Sequence, residues 1–281
     1  SYRLVGSEMC IRDRFVWMGE ILFRTKLSEN LFKGLSPWMQ KLPGGLIHVN
    51  IVGCALFAAI SGSSAATVAT VGKMSIPELR KRKYPEKILL GSLAGSGTLG
   101  LLIPPSIILI IYGVAVQESI AKLFIAGIIP GIMIALIFMS YVIIWSLINK
   151  KTMPKILEEY SFIDKIKRSK QLLPVIILIL AVIGSIYTGI ATATEAASLG
   201  VLGALILSYF QKSLTVETFK SSLLGATKTS CMIAFILAGS TFLSLAMGFT
   251  GLPRNLAVWI QNMELSPYVL IFVLMICYII L

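Results

Sequence analysis

Charged side chains are scarce in this sequence. Only 14% of its 281 residues are Asp, Glu, Lys or Arg, whereas 56% are hydrophobic. The mean hydropathy is +0.86. Because soluble domains are about a quarter charged, this balance argues against a soluble globular domain and favours an integral membrane protein.

Residue patterns for common catalytic and metal chemistry are also missing. The sequence has one histidine, His48, and its four cysteines are scattered without the spacing of a metal or redox site. It contains no phosphate-binding Gly-x-x-x-x-Gly-Lys loop, no His-Glu-x-x-His and no Gly-x-Ser-x-Gly. The net charge is +12, but the basic residues form no stripe with interleaved aromatics. We therefore expect no enzyme activity, no metal or cofactor, and no nucleic-acid partner.

Long apolar runs make up much of the chain. Residues 121–148 carry one charge near one end and residues 171–194 carry none. Each run exceeds the roughly 20 residues that cross a bilayer as a helix. We predict an all-α, multi-pass membrane protein with spans at 88–116, 121–148, 171–190, 195–210 and 221–247.

The loops between these runs alternate in charge. Lys and Arg concentrate in 73–87, 149–170 and 211–220, whereas 117–122, the region of Glu195 and 251–266 are nearly neutral. Because cytoplasmic loops are enriched in Lys and Arg, we place the first three loops in the cytoplasm. Residues 24–45 are basic as well, and Trp38 with alternating charges indicates an amphipathic helix at the membrane surface. This helix is either an arm between moving and fixed parts or a passive surface helix.

The apolar stretch 46–72 joins two basic segments, so it does not fit the alternation of basic and neutral loops across the membrane. If it crossed the membrane, those segments would lie on opposite sides. A re-entrant hairpin removes the conflict, and Ser61-Gly62-Ser63-Ser64 provides its break, since these residues favour turns and caps. We prefer the hairpin to a crossing. Irregular backbone at membrane depth occurs only where it lines a cavity or packs on protein.

A short internal repeat is consistent with this topology. Residues 25–31 (TKLSENL) resemble residues 250–256 (TGLPRNL), and each copy is followed by a tryptophan, Trp38 or Trp259. The odd number of predicted spans between the copies places them on opposite membrane faces. Inverted repeats of this kind are typical of secondary transporters with broken helices near the midplane.

A second break lies in the predicted span 88–116. Three glycines at 95–100 precede Pro104-Pro105, and two consecutive prolines remove two backbone donors. The carbonyls freed in 97–103, with the hydroxyls of the first break and of Thr98, form an all-oxygen set suited to a hard cation. The helix start near Pro105 would favour a carboxylate. The alternative is that both breaks only let helices pack closely.

Glu195 is the one acid predicted inside the apolar region of the second half. Ionisable groups within membranes are commonly functional. Thr194-Glu195 also suits a helix start, as a cap and a first-turn acid, and we favour that interpretation.

The motifs around the two breaks resemble the large membrane subunit of tripartite ATP-independent periplasmic (TRAP) transporters. The similarity extends from about Phe15 to Leu281. It is carried by 44–50 (GGLIHVN), 57–66 (FAAISGSSAA), 97–106 (GTLGLLIPPS), 112–113 (YG), 123–127 (LFIAG), 130–131 (PG) and 192–197 (TATEAA).

This resemblance implies a bacterial inner-membrane importer of organic acids, coupled to sodium, with an inverted-repeat, elevator-type fold. It also implies a periplasmic substrate-binding protein and a small membrane subunit as partners. A stand-alone ion-coupled dicarboxylate carrier or antiporter is the alternative. The resemblance maps the sodium site onto Ser61, Gly62, Ser63, Ser64, Gly97, Thr98, Gly100 and Ile103, and the substrate site onto Ser64, Thr67, Pro104, Pro105 and Ser106.

Two departures from the family pattern stand out. Many members carry an acid where this chain has Thr67. The family's opening helices and its second Pro-Pro hairpin are not among these residues, so we expect the polypeptide to be a fragment. We divide it into a non-native leader (1–14), an interfacial segment (15–45), a re-entrant hairpin (46–72), a broken helix with a spanning helix (88–148), a cytoplasmic loop (149–170) and a truncated second repeat (171–281).

Overall fold

The computed structural model describes residues 2–25, 27–154 and 162–280, and every regular element within them is helical. The all-α prediction is therefore confirmed. The predicted loop at 149–170 lies partly outside these described residues. In chain order the helices are α1 (Tyr2–Phe23), α2 (Leu27–Met39), α3 (Ile47–Ser61), α4 (Ser64–Lys81), α5 (Glu86–Gly97), α6 (Ile107–Val116), α7 (Ile120–Ile148), α8 (Phe162–Ser169), α9 (Leu173–Tyr187), α10 (Ala193–Phe210), α11 (Val216–Thr250), α12 (Leu252–Gln261) and α13 (Pro267–Ile280), with 3-10 turns at Thr98–Leu101 and Lys150–Thr152.

Among the described residues, three helices, α7, α10 and α11, are long and apolar enough to cross a membrane. They match the predicted spans at 121–148, 195–210 and 221–247. The predicted span at 171–190 corresponds to α9, which is bent by 53° from α8. The predicted span at 88–116 is divided, because α5 and α6 are separated by irregular backbone.

The chain forms two compact units, Ser1–Ser230 and Cys231–Leu281. In the first unit α3 is central, since it packs against α1, α2, α4, α5 and α7 and buries most of its side chains. A helix that is apolar on every side is expected in such a position. In the second unit, the side chains of α12 and α13 are all at least partly exposed.

Helix α1 packs against α10 within the first unit. A methyl group on Gly200 would lie 2.5 Å from the sulfur of Met18, so the two backbones approach closely there. Residues 2–23 form one helix, which continues across the predicted boundary between the leader (1–14) and the interfacial segment (15–45). The amphipathic part of that segment is α2, which buries Leu31 and Leu35 and exposes Lys33.

The element order around the two copies of the repeat is the same. In each case a long helix (α1 or α11) leads to a short helix that carries a tryptophan (α2 or α12), and an apolar helix (α3 or α13) follows. The sequence similarity at 25–31 and 250–256 therefore coincides with equivalent helix junctions. The inverted orientation of the two copies stays a prediction.

Candidate functional site

The first break consists of two capped helix ends. Helix α3 ends at Ser61, and Gly62 follows in the left-handed conformation (φ 58°), with its N–H donating to the carbonyl of Ala58 at 3.0 Å. Ser63 is the N-cap of α4, and its hydroxyl accepts from the N–H of Ala66 at 3.4 Å. A left-handed glycine is a common helix stop, and serine is a preferred helix start. The break predicted at Ser61–Ser64 is therefore confirmed.

The chain doubles back at this break. A methyl group on Gly53 would lie 3.6 Å from Cγ1 of Val71, and these residues precede and follow Gly62 by the same number of positions. Helices α3 and α4 thus form a hairpin within the segment 46–72. The course of the hairpin in the membrane stays a prediction.

The second break separates α5 from α6. Helix α5 ends at Gly97, a 3-10 turn covers Thr98–Leu101, and α6 begins at Ile107. The peptide bond between Pro104 and Pro105 is cis. The hydroxyl of Ser106 donates to the carbonyl of Leu101 at 2.6 Å and so bridges the irregular segment. The predicted interruption at 97–106 is confirmed.

The two breaks meet in space. The N–H of Ile107, at the start of α6, donates to the carbonyl of Gly62 at 3.3 Å. A methyl group on Gly62 would lie 2.6 Å from the carbonyl oxygen of Pro105, and one on Gly100 would lie 2.9 Å from the nitrogen of Ser64. Glycine is therefore needed on both sides of the contact, because any side chain there would meet backbone.

Buried hydroxyls cluster at the tip of the hairpin. The hydroxyl oxygens of Ser61 and Thr67 lie 3.0 Å apart. Thr67 donates to the carbonyl of Ser63 at 2.7 Å, and Ser61 donates to the same carbonyl at 3.3 Å. Both hydroxyls lie on buried residues, 3% and 0% exposed. These oxygens, with the adjoining carbonyls, are ligands of the type that hard cations prefer.

The helix ends give the contact a polarised electrostatic environment. The carboxyl-terminal ends of α3 and α5 lie at the two breaks, and so do the amino-terminal ends of α4 and α6. Carboxyl-terminal ends carry partial negative charge and amino-terminal ends partial positive charge. Within the described residues, no group of three or more His, Cys, Asp or Glu side chains is placed to hold a metal ion. The chemistry available is therefore that of backbone dipoles and hydroxyls.

The structure brings most of the predicted site residues together. Residues 61–64 and Thr67 form the hairpin tip, and Gly100 and Pro105 contact it. Gly97 lies against Val68 of α4, where a methyl group on the glycine would overlap a valine methyl. Pro104 and Ser106 are buried in the second break.

The side chains of two residues in the predicted ion site make contacts outside the hairpin tip. Thr98 is exposed, and its hydroxyl donates to the carbonyl of Gly95 at 2.7 Å, within its own helix. The side chain of Ile103 lies against α7, where a methyl group on Gly131 would stand 2.9 Å from its Cγ1. Their roles in ion binding stay predictions.

Helices α1 and α7 enclose the breaks, and these two contacts were not predicted from the sequence. Gly19 of α1 lies against the hairpin tip, since a methyl group there would stand 2.8 Å from Cα of Ser61. Gly127 of α7 lies against the second break, where a methyl group would stand 2.8 Å from the carbonyl oxygen of Leu102. Gly127 and Gly131 lie one helical turn apart, and small residues at that spacing were the available signal of close packing.

Glu195 forms part of a helix cap. Thr192 is the N-cap of α10, and its hydroxyl accepts from the N–H of Glu195 at 3.3 Å. The carboxylate of Glu195 accepts from the N–H of Thr192 at 2.8 Å, which completes a capping box. The helix-start interpretation is confirmed, with the correction that the cap is Thr192 rather than Thr194.

Comparisons with known proteins agree with these features. Residues 8–281 match the family described as "Tripartite ATP-independent periplasmic transporter, DctM component". The chain is 31% identical to the C4-dicarboxylate TRAP transporter large permease protein DctM of Pseudomonas aeruginosa, and the match covers 92% of the chain and 60% of that protein.

Two further relatives carry other substrate names. The sialic acid TRAP transporter large permease protein SiaM of Vibrio cholerae is 33% identical, over 92% of the chain and 60% of that protein. The ectoine/5-hydroxyectoine TRAP transporter large permease protein UehC of Ruegeria pomeroyi is 30% identical, over 94% of the chain and 61% of that protein. The chain thus spans about three-fifths of the length of these relatives.

Proposed function

The chain belongs to the family of the DctM component of tripartite ATP-independent periplasmic transporters, and from that membership we propose that it is part of a sodium-coupled permease for small organic acids. Proteins of this family are transporter permease subunits and not enzymes. In the proposal, a periplasmic binding protein delivers the substrate and a small membrane subunit packs beside the permease in the bacterial inner membrane.

The contact between the two helix breaks supports sodium coupling. Gly62 and Gly100 let the hairpin tip approach the second break at backbone distance. The carbonyl of Ser63 and the hydroxyls of Ser61 and Thr67 then lie together in a buried position. Sodium is a hard cation and binds such oxygens without needing a carboxylate. Both hydroxyls donate to the carbonyl of Ser63, so an arriving ion would replace hydrogen bonds that the site makes in its absence.

The substrate proposal uses the opposite helix ends. Helices α4 and α6 begin at Ser64 and Ile107, and their amino-terminal dipoles favour an anionic group. The names of three relatives give C4-dicarboxylates, sialic acid and ectoine, and each of these compounds carries a carboxylate. We infer that the chain contributes to a carboxylate site near Ser64, Thr67, Pro104, Pro105 and Ser106.

We further infer an elevator movement of the hairpin and the second break. Because these segments contact each other through backbone, they would move as one body, with α2 as the connection to the remaining helices. The junctions α1–α2–α3 and α11–α12–α13 support an inverted repeat, in which a second hairpin would follow from α13.

The test is reconstitution of the full-length protein with its binding protein and small subunit into liposomes. Uptake of a radiolabelled carboxylate is measured with and without an inward sodium gradient. We expect uptake only when sodium, substrate and binding protein are all present. Equal uptake with and without the sodium gradient would refute the coupling. Uptake without the binding protein would indicate a stand-alone carrier.

A further inference from the structure

Helix α8 presents an apolar face that is exposed. Ile163 and Ile166 lie three residues apart, hence on one side of the helix, and they are 75% and 47% exposed. The helix ends at Ser169, and α9 begins at Leu173 after a bend of 53°. Helix α8 is therefore an amphipathic helix placed directly before a predicted span and inclined to it.

Exposed cations accompany this apolar face. Lys167, Arg168 and Lys170 are exposed, and Asp164 is the only acid in the helix. The same short segment thus carries apolar side chains and a positive charge excess. Basic, amphipathic helices of this type bind in the interface of membranes that contain anionic lipids.

Contacts with α2 fix the orientation of α8. The indole N–H of Trp38 donates to the hydroxyl of Ser169 at 2.8 Å, and the ammonium of Lys165 lies 5.6 Å from the centre of the Trp38 ring. A methyl group on Gly34 would lie 2.6 Å from Cγ of Leu172, so α2 also touches the bend itself. Helix α8 is held on its Ser169 side, while Ile163 and Ile166 remain exposed.

Trp38 is itself 43% exposed. Tryptophan is enriched at the level of lipid headgroups, because its ring is apolar and its N–H is polar. We define the interfacial platform as Trp38, Ile163, Ile166, Lys167, Arg168 and Lys170.

We propose that the interfacial platform binds anionic phospholipids of the leaflet that α8 faces. The isoleucines enter the boundary between headgroups and acyl chains, and the cations face the lipid phosphates. The proposal rests on the membrane orientation given under the proposed function, and it adds a lipid partner outside the helix breaks. A soluble acidic protein would match the cations but would leave the isoleucines beside a spanning helix without an apolar partner.

The expected preference for anionic over neutral lipid follows from the positive charges of the lysines. Each basic residue near an anionic surface strengthens association by roughly fivefold. Replacing Lys167 and Lys170 by glutamine should therefore lower the preference for anionic lipid by about tenfold or more. Salt should lower it too, because mobile ions screen exposed charges.

The experiment measures lipid selectivity at the platform. All four cysteines are replaced, Gln171→Cys is introduced beside the platform, and a fluorophore is attached to it. The protein is reconstituted into vesicles that contain either brominated phosphatidylglycerol or brominated phosphatidylcholine, and quenching gives the relative binding constant of the two lipids. We expect the binding constant to favour phosphatidylglycerol by more than tenfold.

Two double variants decide the interpretation. Lys167→Gln with Lys170→Gln should lower the preference by about tenfold or more, whereas Lys212→Gln with Lys220→Gln should leave it unchanged. The control removes the same charge from another predicted cytoplasmic loop, where both lysines are also exposed. Equal quenching by the two lipids, or equal effects of the two variants, would overturn the proposal. Because lipid binding needs no transport, sodium-independent uptake with an intact lipid preference would refute only the proposed function.

Discussion

Gly100 lies against the backbone of Ser64, so closely that a methyl group on Gly100 would stand 2.9 Å from the Ser64 nitrogen. Backbone cannot yield as the end of a flexible side chain can. We therefore predict that Gly100→Ala pushes the second break away from the hairpin tip. In the reconstituted full-length transporter, sodium-dependent uptake should fall by an order of magnitude or more, while the amount of folded protein changes little.

Gly91→Ala is the matched control for this variant. Gly91 lies in α5, and a methyl group there would meet nothing within 4 Å. Alanine favours helix by about 1 kcal/mol over glycine, so uptake should remain at the wild-type level. If Gly100→Ala behaves like Gly91→Ala, the contact between the breaks has no role in coupling and serves packing alone.

Gly62 combines a left-handed backbone with contact to the carbonyl of Pro105. Its φ is 58°, and a methyl group would lie 2.6 Å from that oxygen. We predict that Gly62→Ala lowers the free energy of unfolding through both the conformation and the contact. The left-handed conformation alone costs about 1–2 kcal/mol for an L-residue. Thermal unfolding of the purified protein in detergent measures the loss.

The control for Gly62 is Gly251→Ala. Gly251 has a similar φ of 69°, but a methyl group there would meet no other atom within 4 Å. It should therefore show the conformational cost without the contact cost. Equal destabilisation by the two variants would contradict a close approach of Gly62 to Pro105.

Tyr84 connects the two ends of the hairpin. Its hydroxyl accepts from the N–H of Leu46 at 3.1 Å, just before α3 begins, and Tyr84 itself follows the end of α4. Tyr84→Phe would leave the backbone N–H of the buried residue Leu46 without its acceptor. An unpaired buried donor costs about 1–3 kcal/mol. We predict a lower unfolding temperature, with Tyr209→Phe, at an exposed tyrosine, as an unaffected control.

The Tyr84 effect should depend on pH. Burial raises the pKa of Tyr84, whereas an unfolded chain loses the phenol proton near pH 10. Because the folded pKa is the higher one, the stabilisation is complete below about pH 10 and is lost as the pH rises through the folded pKa. The difference in unfolding temperature between wild type and Tyr84→Phe should therefore narrow above pH 10. A constant difference would contradict this assignment.

Glu195 offers a test between a cap and a functional acid. Glutamine also completes a capping box, so Glu195→Gln should retain both stability and sodium-dependent uptake. Glu195→Ala removes the acceptor for the Thr192 N–H and should lower the unfolding temperature slightly. Thermal unfolding and uptake are measured for both variants. Loss of uptake in Glu195→Gln with normal stability would show that the carboxylate acts in transport.

Local residue chemistry was sufficient to predict the two breaks, and the predicted ion site required them to meet, but the atoms that make the contact could not be predicted. A left-handed glycine between serines and a Pro-Pro pair interrupt helices wherever they occur, so Gly62 and Pro104-Pro105 could be identified from the sequence. The contact between Gly100 and Ser64 depends on how α4 packs beside α5, including the contact of Gly97 with Val68. Because this packing involves whole helices, no short sequence pattern predicts it.

The difference between locally determined elements and contacts between helices also explains which predictions succeeded at other positions. The apolar run predicted at 121–148 became a helix at 120–148, because length and hydrophobicity decide such an element. Thr98 was expected to contribute its hydroxyl to the ion site, whereas in the structure this hydroxyl donates to the carbonyl of Gly95, three residues earlier in the chain. Threonine commonly makes such short-range hydrogen bonds to the backbone.

The re-entrant course of the hairpin makes a prediction about membrane topology. If α3 and α4 enter and leave on one side, single cysteines at Lys41 and Lys81, which precede and follow the hairpin, should react with a membrane-impermeant maleimide from the same face. Both lysines are exposed. Lys26, in the same basic segment, lies outside the described residues. Lys122, exposed at the start of α7, is the internal control and should react from the opposite face, since α5 and α6 together cross the membrane once. Labelling of Lys41→Cys and Lys81→Cys from opposite faces would show that the hairpin crosses the membrane instead. The number of spans between the two copies of the repeat would then be even, and the proposed inverted repeat would lose its topological basis.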